Sequence, residues 1–251
     1  RGRMERVLAT VATLGISLSL ALGQGKPTEL TLKASDGKSV FGRLFPAKGT
    51  AKGVVLMFHQ ARSNMEEYAP IAPKVAELGF DCLTIDQRSG GDMWGAKNRT
   101  AASYSSAQDY LSAYPDLEGA LDWAKAKSYG KIVAWGSSYS AALSLKLAAE
   151  HPEVSAVLSF SPGEYFGEKG TVAGWNAKIK APVLMAFSRR ESGNGGYDLF
   201  KTAGKFPARS HDAIIVHADG VHGSSTLRAD KNPKSNDYYW KGVETFLKHA
   251  F

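Results

Sequence analysis

Residues 53–58 (GVVLMF) form an unbroken apolar run that stops at His59. A strand with one wet face alternates apolar and polar side chains. A run with no polar position needs cover on both faces, as in a parallel sheet between two helix layers. The pattern recurs at residues 80–85, 131–135, Val154–Phe160, 183–187 and Ala213–His217. Segments with helical character stand between and after these strands: 66–78 (stopped by Gly79), 115–127, Tyr139–Glu150, 171–179, 196–206 and a closing amphipathic stretch at 237–250. In 115–127, Pro115 sits in the first turn, and Leu117, Leu121 and Ala124 share one face. Strands alternating with helices imply βαβ units. Thr28–Lys33 and 40–45 behave differently, alternating around Asp36-Gly37 as an antiparallel hairpin does. The expected fold class is α/β, a mostly parallel sheet with an antiparallel N-terminal hairpin at one edge and helices on both faces.

Residues 24–251 read as one domain, since neither an internal repeat nor a low-complexity linker interrupts them. The 43% hydrophobic and 22% charged content excludes a disordered or coiled-coil chain. Arg1, Arg3 and Arg6 precede an apolar run over residues 7–22 that ends in Ala21-Leu22-Gly23. A basic start, a short apolar stretch and small residues at the end describe a secretory signal peptide over residues 1–23. The run falls short of the roughly twenty apolar residues of a membrane span. An exported protein, periplasmic or extracellular, is therefore expected, with no stable span after cleavage. Cys82 is the only cysteine, so no internal disulfide forms, and its apolar segment predicts a buried thiol. The net charge of +7 comes from scattered Lys and Arg without a basic arm, which argues against a nucleic-acid partner.

Gly136-Ser137-Ser138-Tyr139-Ser140 lies between the strand 131–135 and the helix that begins near Tyr139. A serine on a sharp strand-to-helix turn presents its hydroxyl at the sheet edge. The helix N-terminus behind it offers N–H groups and positive dipole to a developing oxyanion. Of the serines in the cluster, only Ser138 has glycine two residues before it, so Ser138 is the candidate nucleophile. A Ser-rich loop is the bland alternative, and the flanking strand and helix weigh against it.

With this turn in place, the chain after residue 23 resembles the α/β-hydrolase family. Residues 53–59 look like the family's strand ending in His at the oxyanion loop. Residues 80–91 (FDCLTIDQRSGG) resemble its strand followed by Asp-x-Arg-x-Gly. The general likeness is to the compact, lidless dienelactone-hydrolase-like branch. That branch carries Cys as nucleophile where this chain has Ser138, and the last turn position, usually Gly, is Ser140.

The resemblance implies further residues. The family order is Ser, acid, His. His222, in the loop after the last strand, falls where the family places its base. Glu191, in Ser188-Arg189-Arg190-Glu191-Ser192, falls where it places the acid; Glu164, one strand earlier, is the alternative. The oxyanion hole would use the N–H of Tyr139 and one from Gln60 or Ala61. Gln60 stands where Gly is common, which points to a restricted backbone or to substrate contact. His59 would shape the oxyanion loop and counts among the substrate-binding residues.

No phosphate loop, dinucleotide fingerprint or zinc-type His/Cys spacing appears, so neither cofactor nor metal is expected. Residues 161–181, where relatives insert lids, leave room for one short helix, which predicts an open site. Trp94, Tyr104, Tyr165, Phe166 and Trp175 are candidates for its walls, with plain packing as the competing reading. The leading reading is a secreted carboxylic-ester hydrolase acting on a small-molecule or polymeric ester through an acyl-serine. A serine peptidase or amidase on the same fold and a non-catalytic binding protein are the alternatives.

Overall fold

A computed structural model describes residues 25–191 and 212–251. The expected signal peptide, 1–23, and the expected helix at 196–206 lie outside the described residues. Eight strands form one sheet: β1 (Thr28–Lys33), β2 (Ser39–Phe45), β3 (Val54–Phe58), β4 (Asp81–Ile85), β5 (Ile132–Ser137), β6 (Val154–Phe160), β7 (Val183–Ser188) and β8 (Ala213–His217). Their order across the sheet is β1-β2-β4-β3-β5-β6-β7-β8. β1 and β2 pair antiparallel, as does β2 with β4, and every other pairing is parallel. The antiparallel pair therefore forms one edge, and β3 and β5 run side by side in the interior.

Among the described residues the α-helices are α1 (Ala72–Glu77), α2 (Tyr114–Ala126), α3 (Tyr139–Glu150), α4 (Thr171–Lys178) and α5 (Asn236–His249). Alternate residues of β3 explain the unbroken run. Val54, Leu56 and Phe58 face a layer that includes Leu117 and Leu121 of α2 and Leu143 and Leu147 of α3. Val55 and Met57 face the other layer, with Val75 of α1 and Trp240, Val243 and Phe246 of α5. Cys82 is buried on that second side, and burial pushes its thiol well above the usual range.

One expected element divides. In place of a single helix over 66–78, a 3-10 turn at Met65–Tyr68 is followed by α1, which starts at Ala72. Pro73 lacks the N–H a continuous helix would need, and its ring would strike the carbonyl one turn back, so it is confined to the first turn of a new helix.

The loop after β4 bonds the first turn of α3, through Gln87 Nε2 on Ser140 Oγ and Ser89 Oγ on the Tyr139 hydroxyl, and a buried ion pair anchors it. Arg88 Nε and Nη2 donate to Asp116 Oδ1 of α2 at 3.0 and 2.7 Å, and its backbone N–H donates to Oδ2 at 2.7 Å. The same guanidinium forks onto Asp36 in the β1–β2 turn at 2.6 and 3.0 Å. Asp116 is fully buried, whereas Asp36 is 38% exposed. Asp116→Ala removes the fully buried partner of Arg88 and leaves its backbone N–H and Nε without an acceptor, while Asp36 still pairs with the guanidinium. It should lower unfolding free energy by up to about 3 kcal/mol. Asp36→Ala should cost under about 1 kcal/mol. Urea unfolding of the two variants checks the contrast.

Candidate active site

β5 ends at Ser137 and α3 begins at Tyr139, so a single residue, Ser138, makes the turn. Its φ of 61° and ψ of −122° place a non-glycine residue in a strained conformation. Its N–H donates to Phe160 O of β6 at 2.8 Å, which helps hold the turn. Gly136 is required here, because a Cβ would stand 2.1 Å from Ser140 O and 2.5 Å from Ala141 N. The departure at Ser140 has a structural role as well. The Ser140 hydroxyl donates to His59 O at 2.5 Å and accepts from Gln87 Nε2. That ties the first turn of α3 to the end of β3.

The structure brings Ser138, His222 and Glu191 into one hydrogen-bonded row. His222 Nε2 lies 2.7 Å from Ser138 Oγ, and Nδ1 meets Glu191 Oε1. With Nδ1–H donating to the carboxylate, Nε2 is the acceptor for the serine hydroxyl. Glu191 ends a 3-10 turn directly after β7. Its second oxygen, Oε2, accepts from Ser188 N at 2.8 Å and from Ser161 Oγ at 2.9 Å. Ser161 Oγ in turn accepts the N–H of Gly223 at 2.8 Å. Carboxylate and imidazole are thus fixed from the same serine. Ser161 has a φ of 56°, yet no local pattern in the sequence marks it.

Glu164 stands apart from this row. Its carboxylate accepts from Val172 N and Ala173 N at 2.8 and 3.0 Å and caps the N-terminus of α4. The alternative acid is corrected accordingly. Of the other histidines, His151 follows α3, His217 Nδ1 accepts from Asp219 N, and His249 Nδ1 donates to Thr245 O. His211 is outside the described residues.

The substrate-binding assignment of His59 needs correction. The residue is fully buried, with Nδ1 donating to Gln60 O at 2.8 Å and Nε2 accepting Gln87 N–H at 2.9 Å. Burial lowers its pKa to about 4, so the ring is neutral at pH 7. It cannot reach a substrate; it braces the β3 and β4 loops against each other.

Among the oxyanion donors, Gln60 N–H is excluded because it donates to Glu67 Oε2 at 2.8 Å. No hydrogen bond among the described residues engages the N–H of Ala61 or of Tyr139. Those two remain available.

Of the five aromatic wall candidates, Tyr165 stands at the site. It is 39% exposed and donates to Ser161 O at 3.2 Å. Phe166 and Trp175 pack on each other, Trp94 lies under Arg228, and Tyr104 lies over Arg88. Tyr110, which the sequence does not mark, stacks on Tyr139 with ring centroids 4.5 Å apart and is itself 39% exposed. Beside His222 opens a cavity of about 530 Å³, walled by Tyr165, Phe187, Val221 and Glu191. Only α4 interrupts the connection between β6 and β7, so no lid is inserted there.

Known proteins share this fold. An esterase of Pyrococcus furiosus superposes with a TM-score of 0.67 at 16% identity, covering 90% of this chain and 91% of that one. A dienelactone hydrolase of Anabaena variabilis gives 0.66 at 18% identity, covering 90% of this chain and all of that one. At these identities the likeness speaks for the fold. An acyltransferase of Aspergillus calidoustus is 26% identical over 190 residues, 74% of this chain and 58% of that protein, so this chain spans little more than half of it. Residues 41–251, nearly the whole described domain, match the dienelactone hydrolase family, and the chain belongs to that family of α/β-hydrolases.

Proposed function

We propose that this hydrolase cleaves carboxylic esters through an acyl-serine on Ser138. The row Glu191–His222–Ser138, set on a strained turn ahead of α3, carries the reading. As Ser138 Oγ attacks the ester carbonyl, His222 Nε2 takes its proton, and Glu191 holds the imidazole in that tautomer and stabilises the imidazolium. The tetrahedral oxyanion is received by the N–H groups of Tyr139 and Ala61, each contributing about 3–4 kcal/mol. Collapse expels the alcohol, protonated from Nε2. Water then attacks the acyl-serine with Nε2 as base, releasing the acid and restoring the hydroxyl.

The short β6–β7 connection supports an open cleft, which suits bulky or polymeric esters as well as small ones. Esters are favoured over amides by the match to the dienelactone hydrolase family and by the esterase among the similar structures. Export rests on the N-terminal pattern of Arg1, Arg3 and Arg6 before the apolar run. Among the described residues, no helix is long and apolar enough to cross a membrane.

A panel of p-nitrophenyl acyl esters run beside aminoacyl anilides tests the substrate class. Turnover of the esters with anilides left intact is the expected result. Preference for the anilides would assign a peptidase. A protein that turns over neither, and that a fluorophosphonate leaves unlabelled, would be a binding protein on this fold.

A further inference from the structure

Glu67 is a fully buried carboxylate beneath the turn that carries Ser138, and its hydrogen bonds go to Gln60 and Ser137 and not to the three residues of the row. Its Oε2 accepts Gln60 N–H at 2.8 Å, and its Oε1 accepts the Ser137 hydroxyl at 2.7 Å. Ser137 Oγ accepts Ser224 N–H at 2.8 Å, two residues beyond His222. One carboxylate thus joins the oxyanion loop, the residue before the nucleophile and the loop of the base. Packing is tight around it: a Cβ on Gly223 would stand 2.3 Å from Ser137 Oγ and 3.8 Å from Glu67 Oε1. The neighbouring Tyr68 repeats the link, donating to Phe58 O at 2.8 Å and meeting Ser224 Oγ at 3.2 Å.

The direction of these bonds matters. Because Gln60 N–H is turned inward to Glu67 and Gln60 O accepts from His59, the next N–H, that of Ala61, is left for the cleft. We propose that Glu67 is a positioning residue whose carboxylate sets the oxyanion loop, the nucleophile turn and the His222 loop in one register. It thereby fixes where Ala61 N–H and His222 Nε2 stand relative to Ser138. The assignment rests on Ser138 being the nucleophile.

Three donors are aimed at its two oxygens, Gln60 N–H at Oε2 and the Ser137 hydroxyl and, at 3.5 Å, Gln60 Nε2 at Oε1. The ionised carboxylate satisfies that pattern, and a protonated one meets it only in part. Burial pushes this carboxyl up to about 7, so ionisation is costly in the fold. The charged and titratable groups facing it are Arg228, whose Nη1 donates to Glu66 O and Glu67 O, His222 beyond Ser137, and Tyr68. The sign follows from linkage. A carboxyl whose folded value is raised contributes most below its unfolded value, and that contribution is lost as pH rises toward 7. Glu67→Gln is free of that loss. The variant is expected to be at least as stable as the wild type at pH 8 and yet slower, a combination that a merely structural group would not produce.

The test measures kcat and KM for p-nitrophenyl acetate, together with Tm at pH 5 and pH 8, in the wild type, Glu67→Gln and Ser137→Ala. Glu67→Gln should lower kcat by about ten- to a hundredfold, the scale of a misplaced reacting group. Its KM should stay within about twofold, since Glu67 is buried and meets no substrate. Its Tm relative to the wild type should rise between pH 5 and pH 8. Ser137→Ala should lower kcat in the same way, and the double variant should lose no more than the worse single one. A Glu67→Gln protein with wild-type kcat overturns the proposal, as does one whose kcat falls only together with its Tm at pH 8. Fluorophosphonate labelling separates the two readings. A wild type unlabelled at Ser138 fails the functional reading and this one with it, whereas a labelled wild type beside a fully active Glu67→Gln fails this one alone.

Discussion

Ser138→Ala should fold as the wild type does and lower kcat for p-nitrophenyl acetate by roughly 10^5–10^6-fold, the scale on which a serine hydrolase loses its nucleophile. The side chain removed is a single hydroxyl bonded to His222. The strained backbone at φ 61° is held by Ser138 N–H on Phe160 O and by the packing of Gly136 against Ser140, neither of which the substitution touches. Stability should therefore change little while covalent chemistry disappears. A fluorophosphonate should label the wild type and leave the variant unmodified. Equal labelling of both would move the nucleophile elsewhere, and equal turnover would remove Ser138 from the reaction.

Glu191→Gln should cost about 10^4-fold in kcat with the fold retained, because it reverses the tautomer of the base. Glutamine can donate its amide N–H to His222 Nδ1, which shifts the ring proton to Nε2. A donor then faces the serine hydroxyl where an acceptor is needed. The amide oxygen can still accept from Ser188 N and Ser161 Oγ, so the loop keeps its anchors and the loss is confined to chemistry. Glu164→Gln is the matched control. Its carboxylate caps α4, and the variant should retain kcat within about twofold while losing a few tenths to about 1 kcal/mol of stability. Steady-state kinetics on the pair decides the acid, and a large loss in Glu164→Gln with none in Glu191→Gln would reverse the assignment.

Much of the fold was legible because the information is local. The continuous apolar run of β3 announces burial on two faces, and the alternation in β1 and β2 announces an edge. Tyr139–Glu150, Val154–Phe160 and Ala213–His217 stand in the structure with the bounds their patterns indicate. The break between Met65–Tyr68 and α1 was also written locally, in Pro70 and Pro73, but helical spacing across 66–78 masks it. For the site, the positions of Ser138, Glu191 and His222 follow from a chain-order rule applied to loops at the ends of β5, β7 and β8. Parallel strands bring those loop ends together at one edge of the sheet.

The sequence alone carries the alternation of elements, the strand–turn–helix around Ser138 and the loops that could face it. Which polar groups remain free to act is settled in three dimensions. Gln60 N–H and Ala61 N–H look equivalent in the sequence, and the choice between them depends on Glu67. The carboxylate of Glu67 also reaches Ser137, seventy residues away. His59 looks like a site residue until both ring nitrogens are seen bonded to backbone under full burial. Periodicity and turn chemistry are properties of neighbouring residues. The partner of a buried hydrogen-bonding group is set by strands that pair across the chain, here β3 against β5, and no local pattern carries that information.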